Sequence, residues 1–444
     1  MKPNRAAIRK ELMKRSLSAC LLTSALSVLA SSTNITGQQP EFASPDQSQN
    51  LRYDILDLGL VGPPPGQPFM ISHNGLSIGS AAAQDGTEHA TLWLGTARLD
   101  LGTPGLGGLN SMGLGVNESA HGVGGAQTSE ANSEDFCGFN AFSFPASSTT
   151  CLPFVWRDGA MHSLPTLGGA NGYAYMINDR GEVVGLAETS TKDANCSVHR
   201  FRPVIWKDGT ARALATPGEQ YGVAAYINQQ GEAVGASGTC APFNVNSGLY
   251  LEEIHAMFWD ANGEPHQLPG LGGAGGVAGN HAWSLNNFGQ AVGHSELTNN
   301  TTFHATLWPG RNEVLDLGTL SGDYASLALG INDQGLVVGA SLDTNFNPRA
   351  YIWHRRVMTD LNTLLRDNAG LYLLLTESIN NRGEIVGFGA TNAGDVHGFL
   401  AVPIDEDGDF DRNSNRYAEY PRPVLSDSAR ERLRQIVANL HRGL

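Results

Sequence analysis

Seven times along this chain the same order of residue types returns, and a sequence built that way has few folds open to it. The clearest copy is Ile177-Asn178-Asp179-Arg180-Gly181-Glu182-Val183-Val184-Gly185. Close copies occupy residues 227–235, 285–293, 331–339 and 379–387, and looser ones residues 71–79 and 116–124. The chemistry is that of a hairpin. An apolar residue ends one strand, Asn with a polar neighbour opens a type I turn, and the first Gly takes the left-handed position. A β-branched pair then starts the return strand.

Each repeat has a second half. In the first copy it is His89-Ala90-Thr91-Leu92-Trp93, a short turn, and Leu99-Asp100-Leu101-Gly102. Five equivalents follow, with their tryptophans at Trp156, Trp206, Trp259, Trp308 and Trp353. A full repeat therefore supplies four short strands. The seventh repeat has a third strand at His397-Gly398-Phe399-Leu400 but no fourth, while an orphan strand, Tyr53 to Gly59, stands near the N-terminus. Its Leu56-Asp57-Leu58-Gly59 repeats the spelling of Leu315-Asp316-Leu317-Gly318. Placing the orphan in the last sheet closes a ring and removes open edges. The motif glycines Gly79, Gly124, Gly185, Gly235, Gly293, Gly339 and Gly387 lie 45 to 61 residues apart, near the ~40 to 50 residues of a propeller blade. The expectation is an all-β, seven-bladed β-propeller over residues 51–403, closed by the N-terminal strand.

The ends of the chain read differently. Residues 1–30 carry a basic stretch, an apolar run from Leu17 to Ala30 and a small-residue end, the pattern of a signal peptide. The run is too short to span a bilayer, so no membrane insertion is expected. Residues 31–50 form a flexible leader rich in Ser, Gln, Pro and Asn. Residues 404–444 begin as an acidic linker, and Ser428 to Arg442 reads as a short amphipathic C-terminal helix with a capping box at Ser428 and Glu431.

Removal of residues 1–30 moves the formal charge from −15 to −20. A field of that sign repels phosphate backbones, so nucleic acid is not an expected partner. Cys137, Cys151, Cys196 and Cys240 then remain, and an even count in an exported chain favours disulfides. Of three possible connectivities, Cys137–Cys151 (one insertion) and Cys196–Cys240 (adjacent repeats) are preferred. The insertions, residues 128–150, 188–200, 238–253 and 298–302, all fall between second and third strands and project from one face.

The block Ile-Asn-x-x-Gly-x-Val-Val-Gly, then His-Ala-x-x-Trp, then Asp-Leu-Gly-Thr-Leu resembles the HAF family of extracellular repeat proteins, named for a His-Ala-Phe run. The resemblance covers roughly residues 51–403 and rests on three submotifs in fixed order. It implies export and a β repeat fold, and brings no established activity. The departures are Ala120 in place of the turn Gly, the loss of the His in repeats two, three and six, and the absence of any complete His-Ala-Phe.

Few residues offer chemistry. His89, His255, His304 and His397 hold equivalent places in different blades, so they spread around a ring and suit bonds between strands better than one metal sphere. The six repeat tryptophans read as packing between blades. Trp283, Tyr175 and Glu377 stand two residues before the repeat Ile or Leu on innermost strands, where they can face the central channel as ligand-binding residues, although core packing is the plainer reading of large aromatics. Asp405, Asp407, Asp409 and Asp411 alternate as weak Ca²⁺ candidates, but an EF-hand has Gly and Glu where this run has Phe410 and Arg416. Gly75 to Gly79 imitates a hydrolase elbow and Gly270 to Gly275 a dinucleotide fingerprint, each without the helix those motifs require. No catalytic residue and no cofactor is assigned. The expected function is a secreted, periplasmic or cell-surface monomer that binds an extracellular ligand or surface partner without catalysis. The rival reading is a carbohydrate-active enzyme or lectin that uses the channel.

Overall fold

The computed structural model describes residues 51–404 apart from 61–66, 84, 104, 133–147, 195–197, 241–250, 274–278 and 299–301. The signal peptide, the leader, the acidic run from Asp405 and the C-terminal helix lie outside the described residues, as do Cys137 and Cys196.

Seven sheets form the ring of a β-propeller, six of them each taken from one repeat. Blade 3 shows the plan: Gly168–Ile177 is innermost, followed outward by Val183–Lys192, His199–Lys207 and Thr210–Ala213, every pair antiparallel. Blades 1, 2, 4, 5 and 6 repeat that order from Gln67, Gly107, Tyr221, Asn280 and Ala325. The inner strand of blade 1 packs against those of blades 2 and 7, which closes the circle.

Blade 7 is assembled from both ends of the described chain. Its inner strands Leu371–Ile379, Ile385–Thr391 and Val396–Pro403 are joined by Tyr53–Leu60, antiparallel, with Leu56 opposite Leu400. Sequence led to four strands here, and the sheet has five. Leu365–Asp367 adds to the outer side in parallel, pairing Tyr53 with Leu365 and Asp54 with Asp367. Arg366 Nε donates to Asp54 Oδ1 at 2.9 Å, an exposed pair that marks the register more than it adds stability.

Three features of the repeat spelling have a direct physical cause. The turn glycines adopt positive φ, for example 77° at Gly181, and Ala120 is held at 59° where repeat two lacks Gly. The last Gly of each motif lies across from the inner strand, and a Cβ there would overlap a carbonyl: Tyr173 for Gly185, Val223 for Gly235 and Leu375 for Gly387. The third-strand Trp reaches back to the preceding blade. The indole N–H groups of Trp206, Trp259 and Trp308 donate at 2.7 Å to the carbonyls of Pro165, Ala215 and Pro269, just beyond the outer strand of the preceding blade. Fully buried Trp206, Trp259 and Trp308 thus join neighbouring blades through apolar area and one satisfied polar atom.

The repeat histidines also belong to the scaffold. His89 Nδ1 lies 2.9 Å from Asp100 Oδ1, and His304 Nδ1 lies 3.0 Å from Asp316 Oδ1, each tying third strand to fourth. His397 Nδ1 makes the same contact with Asp57 at 2.8 Å, now between the two chain ends. His255 pairs instead with Glu219, from the segment preceding the blade's inner strand. The hydrogen bonds to Asp100 and Glu219 raise the pKa of His89 and His255 against the opposing effect of burial.

The central channel as candidate site

The first level of the channel is set by the repeated Asn. In blade 3 the Asn178 side-chain oxygen accepts from the backbone N–H groups of Arg180 and Glu182, at 3.1 and 3.0 Å, and so builds its own turn. Its amide N–H₂ donates to the Asn228 carbonyl of the next blade at 3.1 Å. The same link runs from Asn117 to Asn178, Asn228 to Asn286, Asn286 to Asn332, Asn332 to Asn380 and Asn380 to Ser72. Blade 1 has Ser72 where Asn is missing, and there Asn74 Nδ2 donates to the Glu118 carbonyl at 2.9 Å instead. All seven interfaces therefore carry a hydrogen bond at one depth, and the repeated Asn is consumed by folding.

The residue after each Asn completes a second ring. The Asp179 N–H donates to Gln229 Oε1 at 3.1 Å, Gln229 to Asn287 Oδ1 at 3.0 Å, Asn287 to Asp333 Oδ1 at 2.8 Å, and Asp333 to Asn381 Oδ1 at 2.9 Å. Inside this ring lies an open funnel, lined at its lip by His73, Glu118, Asp179, Gln229, Asn287, Asp333 and Asn381. Its wall is the apolar first position of every motif, Ile71 through Ile379, together with Met176 and Tyr226. Because successive hairpins alternate between faces, this mouth opens opposite the face from which the insertions between second and third strands leave.

The second level lies deeper and comes from an irregularity in every inner strand. Pairing in blade 3 skips from Ala174 to Met176, so Tyr175 has no partner across the ladder. Equivalent skips leave out Phe69, Leu114, Ala225, Trp283, Leu329 and Glu377. The three residues that sequence placed here, Trp283, Tyr175 and Glu377, thus occupy one structural position. The last Gly of the motif faces the carbonyl of the residue two before the bulge, as Gly185 faces that of Tyr173.

Their surroundings differ. Trp283 is half-buried, stacked on His281 at 4.4 Å between ring centroids, and donates from its indole N–H to His294 Nδ1 at 3.2 Å. It packs on the apolar cluster of Phe303, Leu327 and Leu374. One ring face is therefore already covered, which fits packing better than a sugar platform. Tyr175 packs against Leu114, Tyr173 and Leu186, and burial raises its pKa. Glu377 lies deep yet keeps accessible surface, and burial alone pushes its carboxyl up to about 8. A carboxyl so placed is mainly protonated at neutral pH. It is the one acid among seven bulge positions that are otherwise apolar or aromatic.

Sequence reasoning missed Tyr226 and the lip residues. The signal for the lip was present: the two positions after the repeated Asn change chemistry from copy to copy while the Asn before them and the turn Gly after them largely do not. Among the described residues no group of three or more His, Cys, Asp or Glu side chains gathers as a metal site would require.

No protein-family model matches this sequence, and no curated protein does. Solved structures share the architecture. The chain is similar to the β-propeller domain of the Trilobed protease from Pyrococcus furiosus, at 11% identity and a TM-score of 0.45, over 83% of this chain and 98% of that one. It is similar to puromycin hydrolase at 14% identity and 0.46, over 79% of this chain and 53% of that one. For the gluconolactonase XC5397 from Xanthomonas campestris the values are 9%, 0.31, 58% and 82%. Such distant likenesses carry nothing about ligand or reaction. Fold and site together define a seven-bladed β-propeller with a polar-lipped central funnel.

Proposed function

We propose that the protein is an exported, non-enzymatic binding module that takes its ligand at the funnel mouth. The observation that carries this reading is a division of labour within the repeat. Asn, Gly, Trp and His recur and are tied into turns, ladders and blade interfaces, whereas the lip position, which also bridges blades, varies among His, Glu, Asp, Gln and Asn and converges on one cavity. A scaffold that holds its backbone constant and varies one converging position is suited to recognition. Export follows from the N-terminal pattern and from the resemblance of the repeats to the HAF family, and the pairs Cys137–Cys151 and Cys196–Cys240 and a monomeric state belong to the same proposal.

The carbohydrate-active alternative draws its support from Glu377, a protonated acid deep in the channel. Hydrolysis of a glycoside needs a second carboxyl about 5 to 9.5 Å away, and none of the other six bulge positions carries an acid. A thermal-shift screen of sugars, peptides and amines tests the proposal. The expected outcome is a ligand that raises the melting temperature, is lost in Tyr226→Ala, and is recovered unchanged from the mixture. Turnover of the bound compound overturns the non-enzymatic reading.

A further inference from the structure

The funnel has a sign. Its lip carries three acids, Glu118, Asp179 and Asp333, and neither Lys nor Arg lines the cavity. These acids are not equally engaged. Asp333 uses both oxygens, accepting from Asn287 N–H at 2.8 Å, from Asn287 Nδ2 at 2.9 Å and from Asn381 Nδ2 at 2.6 Å. Asp179 Oδ1 accepts the Glu118 N–H at 2.8 Å, and Glu118 accepts the Asn74 N–H at 3.0 Å and the His73 N–H, so both carboxylates are held by backbone donors alone among the described residues.

A second observation is independent of the acids. Tyr226 comes from the inner strand of blade 4, and its ring is wedged between the apolar clusters around Trp259 and around Phe258. Its phenol reaches the funnel, where Asp333 from blade 6 and Asp179 from blade 3 both act on it. No hydrogen-bond partner for that oxygen exists among the described residues. The residue is partly buried and its hydroxyl opens to the funnel, where a ligand can meet it. On the rim of the same mouth Phe288, 66% exposed, stands where other blades have Asn74, Ser119, Arg180, Gln230, Gln334 and Arg382.

We infer that the funnel takes a primary ammonium group carried on a short apolar chain. The ammonium has three N–H donors, which suit the carboxylates of Asp179 and Glu118 and the Tyr226 phenol, and the chain then runs out across Phe288. Charge-assisted bonds in a half-enclosed mouth outweigh what the same contacts give on an open surface. The inference rests on the channel mouth being the binding surface and adds the class of ligand.

The test is calorimetric titration of the full chain with 1,5-diaminopentane at neutral pH and low salt. Wild type is expected to give saturable, one-to-one binding. Asp179→Asn keeps the acceptor for Glu118 N–H but removes the charge, and should weaken binding about tenfold. Tyr226→Phe leaves the packed ring in place and should weaken it about threefold. Asp208→Asn removes an equal charge from an exposed outer turn and should change nothing, and 1-pentanol should not bind saturably. Equal affinity of wild type, Asp179→Asn and Tyr226→Phe overturns the inference. So does a silent diamine titration; if a neutral ligand from the thermal screen still depends on Tyr226, the ammonium class falls while the binding-module reading stands, and if no class of ligand binds, both fall.

Discussion

Blade 3 and blade 7 carry nearly the same spelling, yet one is continuous in sequence and the other is stitched from segments 340 residues apart, as the His397–Asp57 pair records. Blade 3 uses four strands, has Tyr175 at its bulge and closes its turn on Gly181. Blade 7 needs five, has Glu377 at the bulge, and takes its fourth strand from the N-terminus. The shared inner strands show that the repeat specifies a sheet without regard to chain continuity. The differences show where closure of the ring is maintained: the outer half of blade 7, where Tyr53 and Ile55 join Ile352, Leu361, Leu373 and Phe399 in one buried cluster.

The largest expected effect breaks the comparison outright. Deletion of residues 51–60 removes a whole strand and the fully buried Tyr53 from blade 7 and opens both edges of the ring. The truncated chain should lose its cooperative thermal transition, and a synthetic peptide of residues 51–60 should restore it. A sharp transition in the truncated chain without the peptide would mean that the ring does not depend on this strand.

Next comes the Asn ring, where the two blades should behave alike. Asn178→Ala strands two backbone N–H groups and the Asn228 carbonyl, and should cost about 2 to 4 kcal/mol in denaturant melts. Asn380→Ala, with its partner Ser72 across the chain seam, should cost the same within about 1 kcal/mol. A much smaller loss at Asn380 would show the seam to be looser than the interior interfaces.

At the bulge the blades should diverge with pH. Glu377 binds its proton more tightly folded, with a pKa near about 8 against 4.5, so between those values the folded state holds more protons and stability falls as pH rises. Glu377→Gln should leave stability unchanged near pH 4 and raise it at pH 9 by on the order of 2 kcal/mol. Tyr175→Phe should show no difference between those two pH values. His89 and His255 work in the same direction as Glu377. Their raised pKa values give stability that is complete below about 6.5 and is lost as pH rises through the folded values, by under about 1 kcal/mol each because the groups are partly exposed.

The smallest effect belongs to the irregular blade 2. Ala120→Gly relieves a left-handed alanine and should add about 0.5 to 1 kcal/mol. Gly181→Ala in blade 3 should cost a similar amount, since nothing stands within 4 Å of the added Cβ and only the backbone is strained.

Much of the architecture was legible in the order of residues. The turns are local: Asn, a polar residue and Gly at fixed offsets select one hairpin, and the return strand follows from β-branched residues a few positions on. Seven copies, a missing fourth strand and an orphan of matching spelling were enough to count the blades and to close the ring. The positions of Trp283, Tyr175 and Glu377 relative to the repeat were also readable, because a shared offset puts residues at the same depth. What each does there was not. The stacking of Trp283 on His281, the parallel strand Leu365–Asp367, and the meeting of Tyr226 with Asp179 and Asp333 join residues from separate blades or separate stretches.

The sequence by itself determined the hairpins, the blade count and which end of the chain must return, because those depend on backbone conformation and on periodicity over a few residues. Only the tertiary structure decided that the repeated Asn is a blade-to-blade tie, that every inner strand bulges at the same position, and that the lip is acidic around an open phenol. Closing a ring brings residues 45 to 61 apart to a common axis, and the burial and electric field they meet there are properties of the assembled circle, not of any one repeat.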